Sequence, residues 1–284
     1  MSENKIAVIT GSTGGIGSAI ASLLAANGWN LVLVNRNAEK ATRQKADLHG
    51  EHPNTRIDLV QADFLDADQI KRAGNEILAM HSQIDALYNN SGVLTSQRVI
   101  SAQGHESNYA VNTLAPYVML ESLRRALKRA AGKPKTMIVN TTSSAHNSAK
   151  SLDVGTLSDP EDIGGLMGAY ATTKLALTTM GMALAEALER DGVMLRSVCP
   201  GPVATPMTKT SDAMPGILKL AVPLLFGKPE KQAGKMIHAA DPSNFGGRTG
   251  IYITNGKEKA APELAVDTSV QASLLEKLTA DAAF

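Results

Sequence analysis

The chain has 284 residues, and its 28 lysine and arginine residues nearly balance 27 aspartate and glutamate residues, for a formal net charge of +1. This balance excludes the basic surface typical of proteins that bind nucleic acid or anionic membranes. The single cysteine, Cys199, excludes an internal disulfide and a cysteine-rich metal site. The first apolar run begins at Ile6, so we expect neither a signal peptide nor a membrane anchor and predict one cytoplasmic domain over residues 1–284.

The first apolar run, Ile6–Thr10, leads through a glycine-rich turn into a helix predicted from Gly15 to about Asn27. Glycine allows a tight turn, close approach of the backbone to a pyrophosphate, and close packing of the helix on the strand. The start of the helix adds unpaired N–H groups and a positive dipole end, which favour an anion. The turn is therefore either a dinucleotide site or a structural corner. Its candidate cofactor contacts are Gly11, Ser12, Thr13, Gly15, Ile16 and Gly17.

Further apolar runs alternate with amphipathic stretches, a pattern typical of a parallel sheet covered by helices on both faces. We predict a single α/β domain with a doubly wound (Rossmann) sheet of seven parallel strands, which binds its ligand at the carboxyl ends of the strands. The later strands are predicted at 31–34, 57–62, 86–88, 137–141, 195–199 and 250–253. Helices are predicted at 229–240 and, within a C-terminal extension over about 255–284, at 269–278.

The end of the second predicted strand indicates which cofactor the chain prefers. An acidic residue there accepts hydrogen bonds from a ribose diol, whereas a basic residue pairs with a 2′-phosphate. The chain has Arg36 and no acid at this position. Arg36 is either a solvated loop residue or, together with the glycine-rich turn, a sign that NADP is favoured over NAD.

Polar residues also follow the third and fourth predicted strands. Asp63, followed by Phe64, either contacts the adenine edge or caps the helix that begins near Asp66. After the fourth strand the residues Asn90, Ser91 and Gly92 either line the ribose and nicotinamide side of the cofactor or form an ordinary polar turn.

With these residues the chain resembles the short-chain dehydrogenase/reductase family over nearly its whole length, and within it the subgroup similar to retinol dehydrogenases. The adjacent Gly14 and Gly15 also fit the extended branch that modifies sugar nucleotides, but the Asn-Asn-Ser-Gly turn and the Pro-Gly segment favour the reductase branch. The matching pieces are Thr10-Gly11 with Gly15-Ile16-Gly17, Asp63, the turn 89–92, Asn112, the segment 139–143, Tyr170 with Lys174, and Pro200-Gly201 with Thr205.

Hydride transfer to a carbonyl leaves an alkoxide-like oxygen, which requires a positioned proton donor. Tyr170 is the candidate general acid and base. Because a free tyrosine titrates near ~10, we expect Lys174, one helical turn away, to favour the phenolate, although such a pair also occurs on ordinary amphipathic helices. Ser143 is expected to bond the substrate oxygen and the tyrosine hydroxyl. A register shifted by one residue would give this role to Ser144, and His146 is predicted to be a loop residue.

Asn112 is the fourth candidate catalytic residue, in a helix that starts near His105. Four residues later, Pro116 has no N–H to donate, so the carbonyl of Asn112 loses its helical partner. The resemblance implies that this carbonyl holds a water that connects Lys174 to solvent. The alternative is a helix kink that serves packing only.

The sequence after the sixth strand is expected to complete the site. The turn containing Pro200 and Gly201 brings backbone near the nicotinamide, and the resemblance implies that Thr205 and the Val203 backbone meet its carboxamide. The apolar segment at about 207–227 is either a flexible lid over an apolar substrate or core packing. The acidic stretch 153–162 is either the opposite wall or a solvated loop.

The helix carrying Tyr170 and Lys174 is apolar almost all round, so we expect the sheet to cover one side and a partner subunit of a homo-oligomer to cover the other. The sequence thus predicts an NADP(H)-dependent oxidoreductase that interconverts a carbonyl and an alcohol on a small to medium apolar substrate. It predicts no metal, nucleic acid or membrane anchor. The alternatives are NAD dependence, a cofactor-binding regulator without turnover, and a sugar-nucleotide enzyme.

Overall fold

The computed structural model describes residues 4–130, 136–161, 163–164, 168–204, 212 and 226–283. Within these residues, eight strands form one sheet in the order β3-β2-β1-β4-β5-β6-β7-β8. The first seven strands pair in parallel, as predicted, but β8 is an additional strand that runs antiparallel to β7. The strands are β1 Ile6–Thr10, β2 Asn30–Asn35, β3 Ile57–Gln61, β4 Ala86–Asn89, β5 Thr136–Thr141, β6 Val193–Cys199, β7 Ile251–Thr254 and β8 Lys257–Lys259.

Helices connect these strands and cover both faces of the sheet. They are α1 Gly15–Ala26, α2 Ala38–Glu51, α3 Ala67–Met80, α4 Ser107–Tyr109, α5 Ala115–Ala130, α6 Ala169–Arg190, α7 Pro229–Ala240, α8 Glu263–Val266 and α9 Thr268–Ala282. A π-helical segment, Ala110–Leu114, joins α4 to α5, and short 3₁₀ helices span Ser144–Ser148 and Asn244–Gly247. The carboxylate of Asp66 caps α3 by accepting the N–H groups of Asp68 and Gln69, so Asp63 does not serve as that cap.

Buried apolar side chains form one core on each face of the sheet. Along β1 the side chains alternate: Val8 joins the core under α3, α5 and α6, whereas Ala7 and Ile9 join the core under α1 and α7. A central parallel strand is buried on both faces, which explains why these strands are apolar at nearly every position.

The strand order reverses between β1 and β4, which neighbour each other although they are far apart in sequence. In doubly wound sheets the crevice beyond the carboxyl ends of two such strands is where ligands bind. The topology therefore puts the turn after β1 beside the turn after β4.

The C-terminal helices cover the side of α6 that faces away from the sheet. Both α8 and α9 pack against α6, and Leu274 and Leu278 of α9 join the same core as Leu184 and Leu188 of α6. The chain itself thus supplies a cover that the sequence analysis assigned to a partner subunit, so the apolar character of α6 does not by itself indicate an oligomer. Within the described residues, no helix is both long and apolar enough to cross a bilayer.

Two tyrosines attach α9 to the body of the protein. The Tyr109 hydroxyl donates to Asp281 Oδ2 at 2.7 Å, and the Tyr117 hydroxyl lies 2.9 Å from Thr279 Oγ1. We expect Tyr109→Phe to lower the free energy of unfolding by about 1–2 kcal/mol, because it removes a hydrogen bond to a charged group, and Tyr117→Phe to cost less, about 0.5–1 kcal/mol. Urea unfolding measures both. Equal losses in the two variants would contradict this ranking.

Candidate active site

The glycine-rich turn after β1 has the geometry of a cradle. Gly11 adopts a left-handed φ of +66°, which non-glycine residues rarely adopt. A Cβ on Gly17 would lie 2.3 Å from the Gly11 carbonyl oxygen, so a side chain there would push the helix off the turn. No side chain caps α1 at Gly14, so the N–H groups of its first turn are left for a ligand. The residues present fit a pyrophosphate at this helix start.

The predicted contact Ser12 faces the interior instead of the cradle. It is fully buried, and its hydroxyl accepts a hydrogen bond from Asn35 Nδ2 at 2.8 Å and donates one to Gln44 Oε1 at 2.9 Å. Asn35 Oδ1 accepts the N–H of Thr13 at 3.1 Å. Ser12 therefore holds the turn in place, and its burial does not support the predicted contact with a cofactor. Sequence reasoning missed Asn35 and Gln44, which contact the turn from β2 and α2.

The turn after β4 is hydrogen-bonded to the glycine-rich turn. Thr10 Oγ1 accepts the N–H groups of Asn90 and Ser91 at 2.9 and 3.0 Å. Asn90 Nδ2 donates to the carbonyls of Thr10 and Gly11 at 3.1 and 3.2 Å. The Asn90 amide nitrogen and backbone N–H are therefore occupied in joining the two turns, which leaves Oδ1 and the backbone carbonyl for a cofactor.

Arg36 and Asp63 meet at the neighbouring ends of β2 and β3. Arg36 Nη1 lies 4.0 Å from Asp63 Oδ2, and their side chains are 77% and 34% exposed. The other Asp63 oxygen accepts the Leu65 N–H at 3.0 Å. Both predicted contacts thus lie together at the rim of the crevice. The Phe64 side chain is buried in the core, so only its backbone remains for a ligand.

The predicted catalytic side chains are brought together by β5 and α6. Ser143 lies just after β5, and its side chain acts on the Tyr170 hydroxyl in the direction that favours the phenolate. Lys174 Nζ donates to the Thr141 carbonyl at 2.9 Å and lies 5.9 Å from the centre of the Tyr170 ring. A Cβ on Gly92 would lie 3.5 Å from Nζ, so the turn after β4 borders the same ammonium group.

Burial acts on both ionisable groups of this pair. It raises the pKa of Tyr170 to about 12, and the hydrogen bond from Ser143 opposes this rise. Burial also lowers the pKa of Lys174 to about 8. Among the protein's own groups Ser143 favours the phenolate of Tyr170, and the effect expected of Lys174 on the pKa of Tyr170 stays a prediction.

The neighbouring serine and histidine have other partners. Ser144 is exposed, and its N–H donates to Cys199 Sγ at 3.1 Å. His146 is buried in the 3₁₀ helix, where Nδ1 lies 3.1 Å from Thr178 Oγ1 and burial lowers its pKa to about 4. The geometry favours the register in which Ser143 faces Tyr170. Cys199 is buried, as expected of a small apolar residue.

Asn112 lies in the π-helical segment that directly precedes α5. Its side chain accepts the Val93 N–H at 2.9 Å and donates to the Val93 carbonyl at 3.0 Å and to Thr173 Oγ1 at 3.3 Å. This π-helical turn directly precedes the start of α5, where Pro116 lies, and such turns occur frequently at functional sites. The fully buried amide of Asn112 thus joins the loop after β4 to α6, while the role predicted for its carbonyl stays a prediction.

The segment after β6 begins with a turn, and its predicted contact with the nicotinamide stays a prediction. Gly201 has a φ of +89°, and Val203 is buried beside a bridge in which the Ala204 N–H donates to the Gly227 carbonyl at 3.1 Å and the Gly227 N–H donates to the Pro202 carbonyl at 3.0 Å. Thr205 and nearly all of the predicted lid at 207–227 lie outside the described residues. Within it the structure describes Asp212, Phe226 and Gly227, and Asp212 accepts hydrogen bonds from the N–H and hydroxyl of Ser96.

Among the described residues, no group of three or more histidine, cysteine, aspartate or glutamate side chains could hold a metal ion. The site is instead a crevice lined by glycine backbone, a tyrosine, a serine and a lysine. These groups can bind an anionic dinucleotide and transfer a proton to or from a neighbouring oxygen.

Comparison with known proteins identifies a family. The family model described as short chain dehydrogenase matches residues 5–155 and 160–216. The chain is 28% identical over 274 residues to the chloroplastic short-chain dehydrogenase TIC 32 B of Brassica napus, which covers 94% of this chain and 85% of the relative. It is 27% identical over 275 residues to retinol dehydrogenase 13 of Homo sapiens, which covers 94% of this chain and 81% of the relative.

Solved structures share the fold. The Pseudomonas aeruginosa RhlG/NADP active-site complex has a TM-score of 0.71 and 23% identity, and covers 89% of this chain and 95% of that one. The 3-ketoacyl-(acyl-carrier-protein) reductase of Brucella melitensis complexed with NADH has a TM-score of 0.68 and 22% identity, and covers 90% of this chain and 98% of that one.

The buried ammonium group predicts a pH-dependent stability. Because burial lowers the pKa of Lys174 from 10.5 to about 8, the unfolded chain keeps this proton to a higher pH than the folded chain. The free-energy cost of burying the Lys174 ammonium is present in full below about pH 8 and disappears as the pH rises to 10.5. The free energy of unfolding thus changes by about 3 kcal/mol over this range. We expect the unfolding free energy of the protein to rise over this range relative to that of Lys174→Met. Urea titrations at several pH values measure the difference, and a difference that does not change with pH would contradict the prediction.

Proposed function

The chain belongs to the short-chain dehydrogenase family, and from this premise we propose that it is an NADP(H)-dependent oxidoreductase that interconverts a carbonyl and an alcohol on an apolar substrate. The observation that carries the proposal is that Ser143 and Lys174 both lie beside Tyr170, at the edge of the sheet that holds the glycine cradle. Proton-transfer groups and a dinucleotide cradle thus share one crevice.

The chemistry of the reduction can be divided among these residues. When bound, the nicotinamide supplies the hydride. Tyr170 then donates its hydroxyl proton to the substrate oxygen as negative charge develops there, and Ser143 donates a hydrogen bond to the same oxygen. Lys174, held by the Thr141 carbonyl, stabilises the phenolate that Tyr170 becomes. In the oxidation direction Tyr170 acts as the base.

Burial supports the acid role of Tyr170. With a pKa raised to about 12, the hydroxyl keeps its proton until an acceptor arrives. Ser143 and the lysine ammonium both favour the charged product of that transfer, so they assist most when charge has developed. Asn112 acts by fixing the loop after β4 and α6 relative to each other through Val93 and Thr173.

The proposed preference for NADP is supported by the two residues at the end of β2, Asn35 and Arg36. The Asn35 side chain is buried, and its amide is bonded to Ser12 and Thr13, so it serves the turn. The next residue is Arg36, which is 77% exposed and carries the charge that a 2′-phosphate requires. NAD dependence is the alternative, because Asp63 beside Arg36 brings a carboxylate to the same rim.

An apolar substrate is supported by the loop that follows β4. Val99 and Ile100 are two of the three large apolar side chains exposed within the described residues. Ser96 in the same loop bonds Asp212, which belongs to the segment after β6. The loop thus presents apolar surface at the end of the sheet where the substrate is expected, and retinol dehydrogenase 13 is named for an apolar alcohol.

Tyr170→Phe tests the assignment of the general acid. We expect the rate of NADPH oxidation with a panel of aldehydes and ketones to fall at least about 100-fold, because the proton donor is lost, while NADPH affinity changes by less than about twofold. Tyr117→Phe, which removes a tyrosine hydroxyl on α5, is the control and should keep the activity. Full activity in Tyr170→Phe would overturn the mechanism. An inactive wild-type protein that binds NADPH would favour a regulator without turnover.

Arg36→Ala tests the cofactor preference. We expect its affinity for NADPH to fall about tenfold or more, because the charged partner of the 2′-phosphate is lost, and its affinity for NADH to stay the same. Fluorescence titration with both cofactors measures this. Arg72→Ala, which removes an exposed arginine on α3, controls for the change in net charge. Tighter binding of NADH than NADPH by the wild-type protein would favour NAD dependence.

A further inference from the structure

The glycine-rich turn is hydrogen-bonded to one side chain of α2, that of Gln44. Gln44 Nε2 donates to the Ser12 carbonyl at 2.7 Å, and Gln44 Oε1 accepts the Ser12 hydroxyl at 2.9 Å. The same hydroxyl accepts Asn35 Nδ2, and Asn35 Oδ1 accepts the Thr13 N–H. Two consecutive residues of the turn are therefore fixed by side chains from two other elements.

The turn needs such bonds because its own residues do not make it rigid. Gly11 stands before the fixed pair, and Gly14 and Gly15 follow it. Glycine accepts the φ values that the turn requires, +66° at Gly11 and +55° at Gly15, but it populates many other conformations as readily. Since Ser12 is fully buried, its hydroxyl and carbonyl depend on partners inside the protein.

Gln44 is suited to this task in a way that its neighbours on α2 are not. Lys40, Arg43 and Asp47 line the same open groove of about 270 Å³ between α1 and α2, next to Thr13. Of these side chains, only the amide of Gln44 offers both a donor and an acceptor at one end, and Ser12 uses both. Two hydrogen bonds to the same residue fix the orientation of Ser12 as well as its position.

We propose that Gln44 is a positioning residue that keeps the glycine-rich turn in its cofactor-binding conformation. The inference rests on the proposed cofactor site, but it concerns a side chain that acts through its hydrogen bonds to Ser12. An ordered turn spares the cofactor the conformational entropy of ordering it. Loss of Gln44 then reduces the fraction of molecules whose turn is competent, which weakens binding without changing the chemical step.

The test is a comparison of Gln44→Leu and Gln44→Met with the intact protein. We expect the Kd for NADPH, measured by fluorescence titration, to rise about tenfold in both variants, because two hydrogen bonds to Ser12 are lost. At saturating NADPH, kcat and the KM for the carbonyl substrate should change by less than about twofold. Ala46→Leu adds the same side chain at an exposed position of α2 and should leave the Kd unchanged.

A double variant adds a second measurement. Because Ser12→Ala and Gln44→Leu disrupt the same contact, their combined effect on the Kd should be smaller than the product of the single effects. An unchanged Kd in both Gln44 variants, or an equal loss in kcat and affinity, would overturn the positioning role alone. A wild-type protein that binds neither NADPH nor NADH would overturn the proposed function and this role with it.

Discussion

The site depends on the hydrogen bonds between Thr10 and the turn after β4. Strands β1 and β4 are adjacent because the strand order reverses there, but adjacency alone leaves two glycine-containing turns free to move. Thr10 Oγ1 accepts two N–H groups of the β4 turn, and Asn90 returns two bonds to the first turn. These bonds set the position of Gly92, which borders both Asn112 and Lys174. The cradle and the catalytic helix are thereby held in one frame.

Within this frame burial determines the protonation of the reacting groups. Tyr170 and Lys174 are both almost completely buried, and in each case burial favours the neutral form. The buried Lys174 therefore destabilises the folded protein, but it places a positive charge close to the Tyr170 ring. Thr141 reduces this cost by accepting one ammonium hydrogen bond, and Ser143 adds a dipole at the tyrosine hydroxyl. Such strain is common where a site must stabilise a charge that forms only during reaction.

The sequence predicted the elements whose signal is local. Apolar periodicity predicted the seven parallel strands, and the spacing of Tyr170 and Lys174 predicted that they share a face of one helix. Partners that lie far along the chain carry no such signal. Gln44 is 32 residues from Ser12. Arg196 is a charged residue within the apolar strand β6. The structure buries Arg196 completely and surrounds its guanidinium with backbone carbonyls from the end of α7 and the segment after it, which no pattern reveals. The intramolecular cover of α6 was missed for the same reason. The strand β8, by contrast, pairs with β7 across the two-residue turn Asn255-Gly256, a local hairpin signal that the sequence analysis did not use.

Side chains that shape the turn are unavailable to the ligand, and this division bears on cofactor choice. Glycine supplies the backbone angles, whereas Ser12, Asn35 and Gln44 supply the rigidity. Asn35 occupies the end of β2, where its amide is bonded to the turn, and the exposed Arg36 follows one residue later. An acidic residue at position 36 would reverse the positive charge there, but the Asn35 amide would still be bonded to Ser12 and Thr13. The rigidity of the turn and the proposed preference for NADP therefore depend on two adjacent residues, Asn35 and Arg36.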